Sequence, residues 1–267
     1  MNKVKIDAYA LLKRIKTQQP IVHHLTNWVT IYDCANIVKT LGGSPVMAHA
    51  PEEVAEMAGI ASALVLNIGT LTVDFVQAMK IAAQSANMKG IPVILDVCGA
   101  GATALRDKSC FDLLGSCRID IIKGNASEIA RIAGEKVITK GVDSTDVAAD
   151  MRKLAAKLSQ KRRATVVITG KEDIITDGKI SYVVKNGDPM MVHVVGTGCM
   201  AASVIGTFAA VEKDLALAAV AGLVCFEIAA ECAVKISKGP GSFKEKLYDC
   251  LYALDVKTIT SRQKVYR

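Results

Sequence analysis

The sequence predicts an α/β fold, a mostly parallel central sheet with helices on both faces and a short antiparallel hairpin region. From Leu64 onward, short continuous apolar runs alternate with helix-like stretches, the mark of parallel strands buried on both faces. Hydrophobic residues make up 51% of the chain and aromatics only 4%. The core is therefore to be built from Ala, Val, Ile, Leu and Met, which suits helices packed closely on a β-branched sheet. The exception to the alternation is EDIITDGKISYVVKNGDPMMVHVV, where Asp177-Gly178 and Asn186-Gly187 both suit tight hairpin turns.

The elements follow in order. MNKVKIDAYALLKRIK carries lysines at 3, 5, 13 and 16 and no unbroken apolar stretch, so it reads as an amphipathic helix rather than a secretion signal. ALVLNIG is a strand followed by a helix over about 74–88; IPVILD is a strand that runs into a glycine loop; IDIIKGN is a strand and SEIARIAG a helix. A helix over 151–159 precedes the strand ATVVITG, and after Cys199 the chain is mostly helical, interrupted by the loop KGPGSF at 238–243. With no low-complexity linker and no internal repeat, residues 1–267 are expected to form a single domain.

Composition sets aside several classes of function. The eight cysteines are dispersed with no C-x-x-C pair, which indicates reduced thiols and a cytoplasmic protein. The longest apolar run, LALAAVAGLVCF at 215–226, has twelve residues. That is short of the ~20 needed to cross a bilayer, so a core helix and no membrane association are expected. The net charge of +7 has its clearest cluster in Lys161-Arg162-Arg163, without interleaved aromatics for base stacking. A solvated helix end is the expectation, with no nucleic-acid partner; a modest positive field also suits a small polyanionic substrate.

In open α/β sheets the ligand crevice lies outside the carboxyl ends of the strands. Those ends carry Asn67 and Gly69, Asp96, Lys123 with Asn125, and Thr169 with Gly170. DVCGAGAT matches neither the dinucleotide fingerprint nor the Walker loop; its Asp96 is a candidate ligand or a loop cap. KGNASEI has a capping-box pattern in Asn125 and Glu128. In the same stretch Lys123 could meet phosphate, and Glu128 could hold a magnesium ion through water. His23, His24, His49 and His193 are too scattered for a zinc site.

VVGTGCMAAS is the most informative stretch. Gly196, Thr197 and Gly198 leave backbone N–H groups free at the start of a helix, a setting for a phosphoryl group in transit. Cys199 at that junction is open to three readings: a nucleophile, a group acting at a phosphoryl-transfer centre, or a small buried thiol.

The segments VHHLTNWVT, LGGSPVMA with EEV, ALVLNIGTL, PVILD with GAGAT, KGNASEI, VITG, GTGC and KGPGSF run in order through most of the chain. Together they resemble the hydroxyethylthiazole kinases of the ribokinase-like superfamily. The resemblance implies ATP- and Mg2+-dependent phosphorylation of 4-methyl-5-(2-hydroxyethyl)thiazole, a thiamine salvage step, in a homotrimer with active sites at subunit interfaces. Carried over by motif, Asn27, Met47 and Gly196 bind the thiazole. Lys123 and Thr169, with Thr197 and Gly198 at the anion turn, bind ATP. Asp96 and Glu128 organise the metal, and Cys199 takes the catalytic position that wider relatives commonly fill with aspartate. Three positions depart from the family pattern. Val97 and Cys98 stand where proline and valine are usual, and Lys123 where arginine is frequent, which keeps the charge but loses a bidentate fork. The alternatives are a ribokinase-like kinase of another small alcohol such as hydroxymethylpyrimidine, a cysteine-nucleophile hydrolase, and a nucleotide-binding regulator.

Overall fold

Apolar β-branched runs without polar alternation must be covered on both sides, and the computed structural model, which describes residues 1–135 and 145–267, shows how. In chain order, β1 (Lys3–Val4), α1 (Ala8–Gln18), β2 (Ile21–Leu25), α2 (Ile31–Leu41), β3 (Ser44–Val46) and α3 (Val54–Ile60) come first. There follow β4 (Ala63–Asn67), α4 (Val73–Lys89), β5 (Val93–Asp96), α5 (Ala104–Ser116), β6 (Ile121–Asn125), α6 (Ala126–Ala133), α7 (Thr145–Arg162) and β7 (Thr165–Thr169). The remainder comprises β8 (Asp173–Thr176), β9 (Ser181–Val184), α8 (Thr197–Ala209), α9 (Leu215–Ala233), α10 (Pro240–Tyr252), α11 (Val256–Arg262) and β10 (Val265–Tyr266).

Among the described residues the strands form one 10-stranded sheet in the order β1-β10-β9-β8-β7-β6-β5-β4-β2-β3. The run from β3 to β7 is parallel, and β8, β9, β10 and β1 extend it antiparallel. The parallel region thus begins earlier than Leu64, because β2 and β3 lie at its far edge.

Strand side chains alternate between faces, and the two halves of the core divide accordingly. Ala63, Val65, Ile94, Ile121 and Val167 pack with α1, α2, α8, α9 and α10. Leu64, Leu66, Val93, Leu95, Ile122, Val166 and Ile168 pack on the opposite face with the helices from α3 to α7. This parity sets the direction of the polar residues that end the strands. Asn67, Asp96, Lys123 and Thr169 each lie an even number of residues beyond a side chain on the α8 face. The register then puts Asn67 opposite Asp96 and Asp96 opposite Lys123.

Three expectations are corrected. Asp177-Gly178 does turn the β8–β9 hairpin, with Gly178 at φ 85°. Asn186-Gly187 does not turn a second one: Pro189–His193 is a 3-10 turn, opened by Asp188 accepting from Met190 N at 2.9 Å. The Asn186 amide instead donates to Arg262 O at 3.0 Å and accepts from Lys264 N at 2.8 Å, so β9 takes the C-terminal β10 as its neighbour. KGPGSF is only briefly a loop, since Pro240 opens α10 and Phe243 is fully buried within it. The apolar segment at 215–226 extends into the longer helical stretch Leu215–Ile236, long and apolar enough to cross a bilayer by length and composition, but mostly buried inside the fold. It is a core helix for that reason rather than for its length.

Candidate active site

Helix α8 begins where the sheet offers its row of polar side chains. Gly196 is its N-cap at φ 93°, a left-handed conformation natural to glycine. A Cβ there would also lie 2.5 Å from the Thr30 methyl. The first intrahelical bond runs from Met200 N to Gly196 O at 2.8 Å. The N–H groups of Thr197, Gly198 and Cys199 precede it and have no carbonyl of the same helix to meet. The Thr197 hydroxyl is turned away, donating to Met191 O at 3.1 Å and Val194 O at 3.4 Å, so this residue presents only its backbone to a ligand.

Below that turn, Asn67, Asp96 and Lys123 form a continuous hydrogen-bonded row. The Asn67 amide donates to Asp96 Oδ2 at 2.8 Å, and Lys123 Nζ donates to the two Asp96 oxygens at 3.4 and 3.3 Å. Lys123 Nζ also donates to Gly198 O at 3.0 Å, which ties β6 to the first turn of α8. All three side chains are buried. Burial pushes the Asp96 carboxyl up to about 6, against the pull of Lys123, while the Glu128 charge adds to the rise. Burial also penalises the Lys123 ammonium, but Asp96, Glu128 and Cys199 outweigh it and hold its pKa above the ordinary value. Lys123 is a fixed positive charge.

Cys199 is 7% exposed and its sulfur lies over this row. It accepts from Asn27 Nδ2 at 3.2 Å and from Asn67 Nδ2 at 3.4 Å. The hydrogen bond with the Cys98 thiol is the main cause that brings the Cys199 thiol down to about 7; Thr30 and Lys123 assist, while burial and Asp96 oppose. The same bond, with burial, drives the Cys98 thiol well above its ordinary value. Between the two thiols the shared hydrogen bond favours the ionised form of Cys199 and disfavours that of Cys98.

Glu128 completes the capping box: its N–H donates to Asn125 Oδ1 at 2.9 Å and its Oε2 accepts from Asn125 N at 2.7 Å. Its Oε1 accepts from Gly99 N at 2.7 Å, so cap and glycine loop are joined by one carboxylate. Each oxygen keeps a second lone pair for a further donor or a hydrated cation. Arg106, which the sequence did not single out, clasps the same loop to the segment that follows β4. It donates to Ile68 O at 2.9 Å, Cys98 O at 3.0 Å and Gly69 O at 2.8 Å.

The remaining candidates flank the row. Asn27 follows β2 and Met47 follows β3, on one side of Asp96; Thr169 ends β7 on the other, donating to Gly124 O at 3.4 Å. The structure therefore brings Asp96, Lys123, Gly198, Cys199 and Asn27 into one bonded cluster through Asn67, with Glu128 beside the glycine loop and Met47 and Thr169 by strands on opposite sides of Asp96 in the sheet. Sequence reasoning named Asn67 as a strand end but gave it no role. Counting parity from Ala63 would have aimed it at α8. No sequence signal marked Arg106, whose partners are carbonyls of two separate loops.

The model of the hydroxyethylthiazole kinase family matches residues 12–257. The chain belongs to the hydroxyethylthiazole kinase family. A hydroxyethylthiazole kinase from Methanosarcina mazei is 55% identical over 254 residues, covering 95% of this chain and 97% of the relative. The solved hydroxyethylthiazole kinase structure from Pyrococcus horikoshii superposes with a TM-score of 0.90 at 39% identity, covering 97% and 98% of the two chains. A ribokinase-like superfamily protein from Enterococcus faecalis shares the fold at a TM-score of 0.64 and 13% identity, over 95% and 99%. The hydroxyethylthiazole kinase frame is thus ribokinase-like, a mostly parallel sheet with antiparallel strands at one edge.

Proposed function

We propose that this chain phosphorylates the hydroxyl of 4-methyl-5-(2-hydroxyethyl)thiazole with ATP, a step of thiamine salvage. Family membership supports the reaction type. The observation that carries the site reading is the Asn67–Asp96–Lys123 row beneath the open N–H groups of α8, with Cys199 between them. Asn27, Met47 and Gly196 hold the thiazole on the β2–β3 side. Thr169, Lys123 and the Thr197 and Gly198 N–H groups hold the ATP phosphates on the other. A helix N-terminus and a buried ammonium both favour charge gathering on a transferring phosphoryl group. Because the transition state is loose, positioning and charge neutralisation supply most of the acceleration. Cys199, with its pKa lowered to about 7, receives the hydroxyl proton as the new P–O bond forms and the bond to the β-phosphate oxygen breaks.

Asp96 and Glu128 suit magnesium. Two carboxylates share one neighbourhood, with Lys123 the cation that pairs directly with Asp96, and hard oxygen donors that leave room for water are what Mg2+ takes. When bound, the ion would neutralise and orient phosphate oxygens, held through water by these two residues. Trp28, Val29, Tyr32, Val192 and Val195 are exposed beside Asn27 and Gly196, an apolar rim that supports a homotrimer with sites completed at subunit interfaces. The single sheet, in which β1 pairs with β10 at the other end of the chain, supports reading residues 1–267 as one domain, and the unpaired cysteines support a cytoplasmic location. Nucleic acid and membrane are not part of this reading.

Among the described residues no histidine bonds the Cys199 sulfur, as a covalent role would ask: His24 bonds Val22 O and Ser203 Oγ, and the side-chain amides on the sulfur come from Asn27 and Asn67. The test is incubation with ATP, Mg2+ and a panel containing the thiazole alcohol and hydroxymethylpyrimidine, read by mass spectrometry of small molecules and protein. The thiazole phosphate should form with no adduct on Cys199. Preference for hydroxymethylpyrimidine, a Cys199 adduct, or ATP binding without turnover by the folded protein would each replace this reading with one of its alternatives.

A further inference from the structure

Asn67 is 1% exposed at the last position of β4, and every hydrogen-bonding group of its side chain is directed. Its Oδ1 accepts from Gly69 N at 2.8 Å, which fixes the rotamer and therefore the amide orientation. The same Nδ2 donates to Asp96 Oδ2 at 2.8 Å and to Cys199 Sγ at 3.4 Å. One buried NH2 group thus bridges a strand-end carboxylate to the thiol at the start of α8. We propose that Asn67 is a positioning residue for phosphoryl transfer, holding the Cys199 sulfur and the Asp96 carboxylate at a fixed separation and supplying a hydrogen bond to the sulfur.

The inference rests on the kinase reading above, in which Cys199 faces the hydroxyl and Asp96 the phosphates. Its physical basis is that a buried anion without donors is disfavoured, and a hydrogen bond to the charged form favours it. Asn27 supplies the second amide donor to the sulfur, at 3.2 Å, but is not linked to Asp96. Cys98, Thr30, Asp96 and Lys123 face Cys199 as well, and the Asn67 amide bonds both the sulfur and one of these groups. A residue that served only to end β4 would need the Gly69 contact alone.

Asn67→Asp separates these roles, since the retained oxygen still accepts from Gly69 N while the bridging donor is lost. Two quantities are read in the full-length protein: kcat and KM with ATP, Mg2+ and the thiazole alcohol, and the rate of Cys199 alkylation by iodoacetamide at pH 7, followed on the Cys199 peptide. Loss of a preorganised donor of this kind lowers kcat by about 10²-fold; KM for ATP should stay within about threefold, and Cys199 alkylation should slow by about tenfold as the thiolate fraction falls. Asn67→Ser, which also retains an acceptor, serves if the aspartate variant does not fold. An unchanged kcat, or a lower kcat with unchanged Cys199 alkylation, overturns the inference and leaves the kinase reading intact. Slower Cys199 alkylation in a protein whose wild type ignores the thiazole alcohol supports the Asn67 bridge while removing the kinase reading.

Discussion

Gly206 lies seven residues after Cys199 in α8, about two helical turns along it, where the helix crosses the sheet. A Cβ added there would stand 2.4 Å from Val65 Cγ2, with Ile94 Cδ1 at 3.6 Å and Val22 Cγ1 at 3.8 Å behind it. Ordinary contact begins at 3.4 Å, so Gly206→Ala falls short by 1.0 Å, the difference between 3.4 and 2.4. Val65 is 1% exposed in the centre of the sheet, where a close-packed core resists its displacement, so α8 must retreat. The consequences for stability and activity differ. Helix propensity gains about 1 kcal/mol from Gly→Ala and overpacking costs about 1–3 kcal/mol, a net loss of at most about 2 kcal/mol. Activity should suffer more, because a displacement of about 1 Å at the reacting groups costs on the order of 10²-fold. Urea unfolding and ADP release with saturating thiazole alcohol measure the two. Val65→Ala alone costs about 2 kcal/mol from the lost methyl groups; combined with Gly206→Ala it removes the clashing methyl and should recover most of kcat. A Gly206→Ala protein with wild-type turnover, or a double variant no faster than the single, would refute the claim that α8 is set by this contact.

Two further substitutions probe charge. Cys199→Ala should lower kcat by about 10²-fold, the lower range for a lost general base, with nucleotide affinity preserved by isothermal titration. Cys199→Asp, its carboxylate met by the Asn27 and Asn67 donors, should turn over at least as fast as wild type; a folded but dead aspartate variant counts against the proton-acceptor role. Away from the reacting groups, Asp173 and Glu227 form a buried carboxyl pair in which burial raises both pKa values, Glu227 strongly. A carboxyl with a raised folded-state pKa contributes stability that is complete below the ordinary carboxylate range and lost as pH rises toward the folded value, at about 1.4 kcal/mol per pH unit for each proton. Glu227→Gln should therefore lose less stability than wild type between pH 5 and pH 8 in urea titrations. Parallel pH profiles would show that the pair does not hold a proton.

Much of this protein is legible from local rules. The alternation of apolar runs with helices fixed the parallel sheet, because a strand buried on both faces favours apolar side chains along most of its length. Asn125 and Glu128 announced their capping box, and both of its bonds are present. Asp177-Gly178 marked a real hairpin. The Asn186-Gly187 expectation failed because the residues that decided it lie 76 and 78 positions away: Arg262 O and Lys264 N take the Asn186 amide.

The candidate site divides along the same line. The sequence by itself determined which residue types stand at the carboxyl ends of the strands, that Gly196 to Cys199 open a helix, and which family these segments resemble, since such signals are carried by spacing along the chain. Only the tertiary structure decided that the amides of Asn27 and Asn67 meet on the Cys199 sulfur, that Lys123 joins Asp96 to Gly198 O, and that Arg106 holds two loops together. Those relations depend on the register between strands and on how closely α8 approaches the sheet, a distance set at Gly206 by the absence of a single methyl group.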